Sequence, residues 1–265
     1  MCKDALVKSL NAKGYSVIKY PREYIKPLLF LCKTNGSLKE LGHLGSFVLG
    51  SSPMPLVNEN TRAPDISVEH TDKLEIGVGL TFLKDLLQLL GVGGVGLDAT
   101  FKNAKTIKFT FKDIYLDYIF PVVVGDFLVN SKPNTQSSFF GKMKEKGKTF
   151  VINETLKSGK MNVSTYDKND VQLKIDLSAI KNMVSVSPNV AVSSEDNGSM
   201  NFEGNIMLPF AFKAVPTWVE VDSLGKAKFK VEFPSTPAPT IKLAASNRSA
   251  GFEVIGQGEL VEIIQ

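Results

Sequence analysis

Apolar and polar residues alternate with a period of two along several stretches of the chain, the spacing of a strand with one buried face. Leu74, Ile76, Val78 and Leu80 alternate with Lys73, Glu75, Gly77 and Gly79, and Ile107, Phe109 and Phe111 with Lys108, Thr110 and Lys112. Val171, Leu173, Ile175 and Leu177 repeat the pattern, as do Val184, Val186, Val190 and Val192, and a last strand carries Ala227, Phe229, Val231 and Phe233. Shorter apolar runs at 16–20 and 28–32 flank a proline-bounded loop. Helical spacing is rarer. Ala5, Leu6 and Leu10 predict a short first helix that Gly14 stops, and 82–90 predicts the best-defined later helix. Weaker helical spacing covers 116–129 and 178–183. The class is therefore α+β, a twisted, mostly antiparallel central sheet with short peripheral helices. A unit of strand, short amphipathic insert and strand occurs across 74–111 and again across 171–192.

The end of the chain changes character. PSTPAPT at 234–240 resists regular structure, and SNRSAG at 246–251 has the small, polar composition of an exposed loop that proteases enter. Beyond it stand Phe252, Val254, Ile255, Leu260, Val261, Ile263 and Ile264, a tail too short to fold alone and too apolar to float free. The predicted organisation is a body at 1–245, an exposed loop at 246–251 and a docked peptide at 252–265. The tail is either the last packed segment of the core or a removable one.

Composition narrows the chemistry. The chain has 265 residues and is 43% hydrophobic, enough for a sizeable core, and its net charge of +4 is spread rather than clustered. That distribution predicts no nucleic-acid partner, while a mild positive charge favours approach to an anionic bilayer. No apolar run reaches the roughly 18 residues of a membrane-spanning helix, and the N-terminus lacks a signal-peptide core. The expectation is a cytoplasmic protein. Cys2 and Cys32 offer neither a disulfide framework nor a CxxC pair, and His43 and His70 stand in no metal-ligand spacing, so both histidines read as structural or surface residues. Ser51 and Ser52 lie in GSSP, which is not a nucleophile elbow. Gly91, Gly93 and Gly96 match GxGxxG, but a helical pattern precedes them and a strand pattern follows. A phosphate there would meet the wrong end of the helix dipole. A flexible glycine joint is the better reading. Glu195 and Asp196 are adjacent and point apart on a strand, so they read as a turn before Asn197 and Gly198. No metal, catalytic group or enzyme class emerges.

The opening MCKDALVKSLNAKGYSVIKYPREYIKPLLFL resembles the N-terminus of bacterial gasdermins: a cysteine beside the initiator Met, a short helix, a Gly-Tyr turn, a strand, then Tyr-Pro-Arg and an Ile-x-Pro-Leu run. The resemblance extends over the chain in length, strand order and short tail. It implies a gasdermin N-domain-like fold with the C-terminal peptide packed on the body. It implies an autoinhibited pore former in which that peptide replaces the helical repressor domain of animal gasdermins. It also implies a palmitoyl group on Cys2, carried in a hydrophobic slot near the first helix, although relatives place this cysteine a residue or two later. A plain thiol is the alternative. The strand–insert–strand units resemble membrane hairpins built around Leu74, Ile76, Val78, Leu80, Ile107, Phe109, Phe111, Val171, Leu173, Ile175, Val184, Val186, Val190 and Val192. The same alternation also suits an ordinary half-buried sheet. The resemblance further implies cleavage by a protease encoded nearby, after Arg248 for a trypsin-like or Arg-preferring caspase-like enzyme, or after Leu243 for one with apolar preference. Release of the tail would then allow a large homo-oligomeric pore in the inner membrane and cell death in anti-phage defence. Two other readings stay open, a β-rich protein that binds a lipid or other apolar ligand, and an enzyme with a dispersed site.

Overall fold

The computed structural model describes residues 5–34, 37–50, 53–63, 101–175, 190–196, 199–233 and 261–264, together with positions 74, 75, 80, 83, 84, 87, 98 and 255. The first helix, α1 (Ala5–Ala12), buries Val7 and Leu10 and ends before Gly14, whose φ of 83° a residue without a Cβ adopts freely. The Asn11 side chain donates to Tyr15 O at 2.7 Å and closes the turn. The strands that follow are β1 (Ser16–Val17), β2 (Leu29–Thr34), β3 (Ser37–His43), β4 (Val48–Leu49), β5 (Asn58–Arg62), β6 (Leu74–Glu75), β7 (Thr106–Lys112) and β8 (Tyr115–Tyr118). Helix α2 (Pro121–Asn130), β9 (Lys132–Pro133) and α3 (Phe140–Met143) precede the long β10 (Thr149–Tyr166). Then come β11 (Gln172–Leu173), β12 (Val190–Asp196), the longest strand β13 (Ser199–Val221), β14 (Ala227–Val231) and β15 (Ile263–Ile264).

The spine of the molecule is the antiparallel pair of β10 and β13. Its register jumps between Ser158–Leu208 and Lys160–Glu203, where Gly159 faces the backbone of Gly204. A Cβ on Gly159 would stand 2.9 Å from the Gly204 carbonyl oxygen, so the bulge needs glycine for close approach. On the near side of the bulge the strand order is β1, β13, β10, β2, β3 and β15. On the far side β10 pairs β7 and β13 pairs β12.

Three apolar clusters follow from this division. The first packs α1, β7 and the far half of the spine, with Leu80, Leu83 and Leu87 over Ile107, Phe109 and Phe111. The second lies inside the near half, around Leu29, Leu31, Leu38, Phe150, Ile152 and Phe212. The third seats α2 through Val124 and Leu128 against Phe30, Phe47 and Phe229. β2 thus buries both faces, Leu29 and Leu31 on one and Phe30 on the other, which is why it reads as a continuous apolar run.

Several predicted elements shift. The helical spacing over 116–129 divides into β8, which pairs β5 and β10, and α2, which begins at Pro121. Proline supplies a fixed φ at the first helical position and pushes Phe120 to an extended backbone, so the helix cannot start earlier. Leu80 is helical and buried rather than the end of an alternating strand, while Leu83, Lys84 and Leu87 are helical as the 82–90 spacing predicts. Val171 is exposed and precedes β11, and the run at 16–20 shortens to β1 followed by a single bridge at Ile18. The expected helix at 178–183, the strand positions Ile76, Val78, Leu177, Val184 and Val186, and the glycines at 91–96 lie outside the described residues.

Candidate functional site

Two features of this fold bear on function, the seat of the tail and the far half of the spine. The tail enters at Ile255, whose N–H donates to the Ser16 hydroxyl at 3.0 Å. Residues 261–264 then run between the edges of two strands. The Val261 N–H donates to Val17 O at 2.7 Å, and its carbonyl accepts from the Lys19 N–H at 2.7 Å. On the opposite side the Leu38 N–H donates to Glu262 O at 3.0 Å, and Ile263 pairs with Leu38 and Ile264 with Lys39. Both pairings are parallel. The tail therefore occupies the gap between β1 and β3, the two ends of the near-side strand order, and turns an open sheet into a closed path of strands.

Side chains agree with the backbone. Val261 and Ile263 point into the second cluster beside Ile18 and Leu38, Ile255 joins them, and Ile264 faces outward at 40% exposure. Lys19 and Glu262 form an exposed ion pair at 3.5 Å, a contact worth little by itself. Burying Ile255, Val261 and Ile263 contributes roughly 1.5–3 kcal/mol each. Ordering the backbone of each of the residues 261–264 costs roughly 1–2 kcal/mol. The two sums are comparable, so docking depends on the tail being tethered to its seat.

The far half of the spine has two faces of opposite chemistry. In the order β7, β10, β13 and β12, one face carries Ile107, Phe109, Phe111, Met161, Val163, Met200, Phe202 and the half-buried Val192. The other carries Lys108, Thr110, Lys112, Lys160, Asn162, Asn201, Glu203 and Ser193 at the alternate positions. Burial along β7 alternates without a break. On the polar face the Asn162 side chain donates to Asn201 Oδ1 at 3.0 Å, and Lys160 sits 3.0 Å from Glu203 and 3.2 Å from Asp113. The apolar face is covered by α1 and by the helical positions Leu80, Leu83 and Leu87. Leu74 pairs with Ile107 at the edge of this sheet, and Leu173 and Ile175 pack as half-buried residues against the same cluster.

Other candidates fall elsewhere. Cys2, Arg248, Leu243, Phe252, Val254 and Leu260 lie outside the described residues, as does His70. His43 caps the 3-10 turn Leu44–Phe47, its Nδ1 accepting from the Gly45 N–H at 3.2 Å, and burial with Lys26 nearby pushes its pKa down. It is a structural histidine. Cys32 is buried in β2, and desolvation pushes its thiol pKa up. Asp196 pairs across to Ser199 in the β12–β13 hairpin, the reversal read from Glu195 and Asp196. No group of three metal-ligating side chains exists among the described residues, and no helix among them is long and apolar enough to cross a membrane. The sequence reading missed β10 and β13, which carry half of the amphipathic sheet, and two partly buried ion pairs on them. Lys157 meets Asp117 at 2.6 Å, and Lys213 meets Glu154 at 3.3 Å. Asp117 also accepts from the Asn60 N–H at 2.8 Å.

Residues 18–226 match the profile of the Bacterial Gasdermin Family. Gasdermin bGSDM of a Desulfuromonadales bacterium is 31% identical over 216 residues, which cover 81% of this chain and 81% of that protein. Gasdermin bGSDM of Lysobacter enzymogenes is 29% identical over 217 residues, covering 81% of this chain and 80% of that protein. The structure of a bacterial gasdermin from Bradyrhizobium tropiciagri shares the fold, with a TM-score of 0.63 and 19% identity over 99% of this chain and 98% of that one. The profile spans most of the sequence and the sheet is of the same architecture, so the chain belongs to the bacterial gasdermins, a family of pore-forming proteins and not of enzymes.

Proposed function

We propose that this chain is held inactive by its own tail and forms a large homo-oligomeric membrane pore once a protease cuts between the body and residues 252–265. The observation that carries the reading is the tail's position, hydrogen-bonded along both sides between β1 and β3. While the chain is intact the tail docks at an effective concentration on the order of millimolar. After a cut its return is bimolecular, and the near-zero balance of burial against ordering no longer holds it. Cleavage after Arg248, or after Leu243 by a protease of apolar preference, would achieve this. The protease is expected to be caspase-like or trypsin-like and encoded nearby.

The amphipathic sheet supports the second step. A transmembrane strand needs about 9–11 residues with one face apolar. The alternation of β7 supplies that face over 7 residues, β12 continues it at the half-buried Val192, and 82–97 and 178–183 as added strand would lengthen it. Two hairpins alone would leave strand edges unpaired in lipid, so only a closed ring of copies satisfies the backbone. A palmitoyl chain on Cys2 would add roughly 0.8 kcal/mol of membrane affinity per buried methylene. The pore would open in the inner membrane of a cell whose cytoplasm holds the intact form, and its death would limit phage spread.

The apolar-ligand reading has less support. Among the described residues the near-side interior holds the side chains of the second cluster, and the cavity at the Gly159 bulge measures about 20 Å³, room for one water. The deciding experiment places a site-specific protease sequence in 246–251 and follows dye release from liposomes of bacterial lipid. Release on cutting, and none from intact protein, is the expected outcome. A verified cut with the tail dissociated and no release from any anionic liposome overturns the reading.

A further inference from the structure

The tail hides two strand edges at once, and the two differ. The first is the β1 edge, which presents the Val17 carbonyl and the Lys19 N–H to Val261. The second is the β3 edge, which presents the Leu38 N–H to Glu262 and pairs through Leu38 and Lys39. Following the antiparallel pairs from β1 through β13, β10 and β2 to β3 makes β1 and β3 parallel to each other, and the tail runs parallel to both. Outward hydrogen-bonding groups of the same strand direction thus stand at opposite ends of one open sheet. An exposed edge of this kind is a template for a further strand.

We infer that the partner of each edge, once the tail has left, is a second copy of this chain: the β1 edge of one copy pairs in parallel with the β3 edge of the next. This inference rests on the proposed release of the tail and adds which surfaces then meet. Two different patches on one molecule form a head-to-tail contact, and such contacts generate rings when the rotation between neighbours closes. A self-complementary patch would stop at a dimer. The same geometry explains why a short tail suffices as an inhibitor: four residues cap both surfaces, so an intact copy can neither start nor extend a chain of neighbours.

The test uses the full chain with a site-specific protease sequence in 246–251 and two differently tagged populations, one carrying Lys19→Cys and the other Lys39→Cys. The two are mixed on liposomes of bacterial lipid, cut, and treated with a short bifunctional thiol reagent. Each variant mixed with itself, and each mixed with the parent chain, sets the background from Cys2 and Cys32. The expected result is a cut-dependent product joining the two tags, at least several-fold above every background mixture. An excess of synthetic peptide 252–265 should suppress that product and dye release in parallel. Dye release on cutting, with crosslinking between Lys19→Cys and Lys39→Cys no higher than background, overturns the edge pairing and leaves tail inhibition standing. A verified cut that yields neither release nor oligomers overturns the tail reading, and the edge pairing falls with it.

Discussion

At the scale of single residues, the spine holds charges in places where water is scarce. Glu154 and Lys213 face each other across β10 and β13 at 3.3 Å with most of both side chains covered, and Lys213 also lies 4.2 Å from the centre of the Tyr15 ring. Burial raises the Glu154 pKa, and the neighbouring Lys213 only partly reverses that. A carboxyl whose folded pKa is raised binds more protons folded than unfolded between its two pKa values, so folding stability falls as pH rises through that window. The parent chain should therefore lose thermal stability relative to Glu154→Gln as pH is raised from about 4 towards 7. Below the window the two should converge, because the glutamate is then neutral like the glutamine. Melting curves of both proteins across the range check this, and parallel curves would show that Glu154 titrates normally. Such pairs were not legible in the sequence. Their partners lie 40 and 59 positions apart, and nothing in the local pattern marks which lysine meets which acid. His43 was legible as a structural residue because its role, capping a turn two residues on, is local.

Whole strands show the same dependence on what is local. The alternation of β7 was legible from Ile107 to Lys112, one residue short of the strand's start at Thr106, since one face is buried and the other is not, and its burial alternates throughout. The helical positions Leu83, Lys84 and Leu87 and the turn at Gly14 were legible for equally local reasons. The two longest strands were missed. β10 is buried on both faces in its first half and is broken by bulges near Asn153, Leu156 and Gly159, each of which resets the phase of the alternation. β13 contains Pro209, Pro216 and Gly204, residues that argue against a central strand unless a bulge or a one-sided partner accommodates them. The bulge at Gly159 also separates the closed near side from the amphipathic far side. Gly159→Val should disturb this joint, because its side chain would press on the Gly204 backbone. A loss on the order of 1–3 kcal/mol is expected by urea unfolding, in the range of overpacked interiors. On the far side, the polar face is expected to line the pore. Lys108→Glu should then shift ion preference towards cations in planar-bilayer recordings of cut protein, whereas a substitution on a lipid-facing surface would leave selectivity unchanged.

For the molecule as a whole, one physical demand applies in both of its states. Backbone donors and acceptors at strand edges must be paired, in water to avoid uncontrolled association and in lipid because nothing else can satisfy them. In the resting chain the tail meets the demand for β1 and β3, and helices cover the apolar face of β7 and its neighbours. In the membrane a single copy cannot meet it, since its hairpins would present open edges to hydrocarbon. Permeation should therefore require a complete or nearly complete ring, and its rate should depend on how often cut copies meet. Dye release at fixed lipid and fixed extent of cutting is expected to rise more steeply than the first power of bound protein and to stall when copies are spread too thinly to assemble. Individual vesicles should empty fully or not at all. A rate strictly proportional to bound protein, down to about one copy per vesicle, would mean that a monomer opens the bilayer and that edge closure between copies is not what insertion needs.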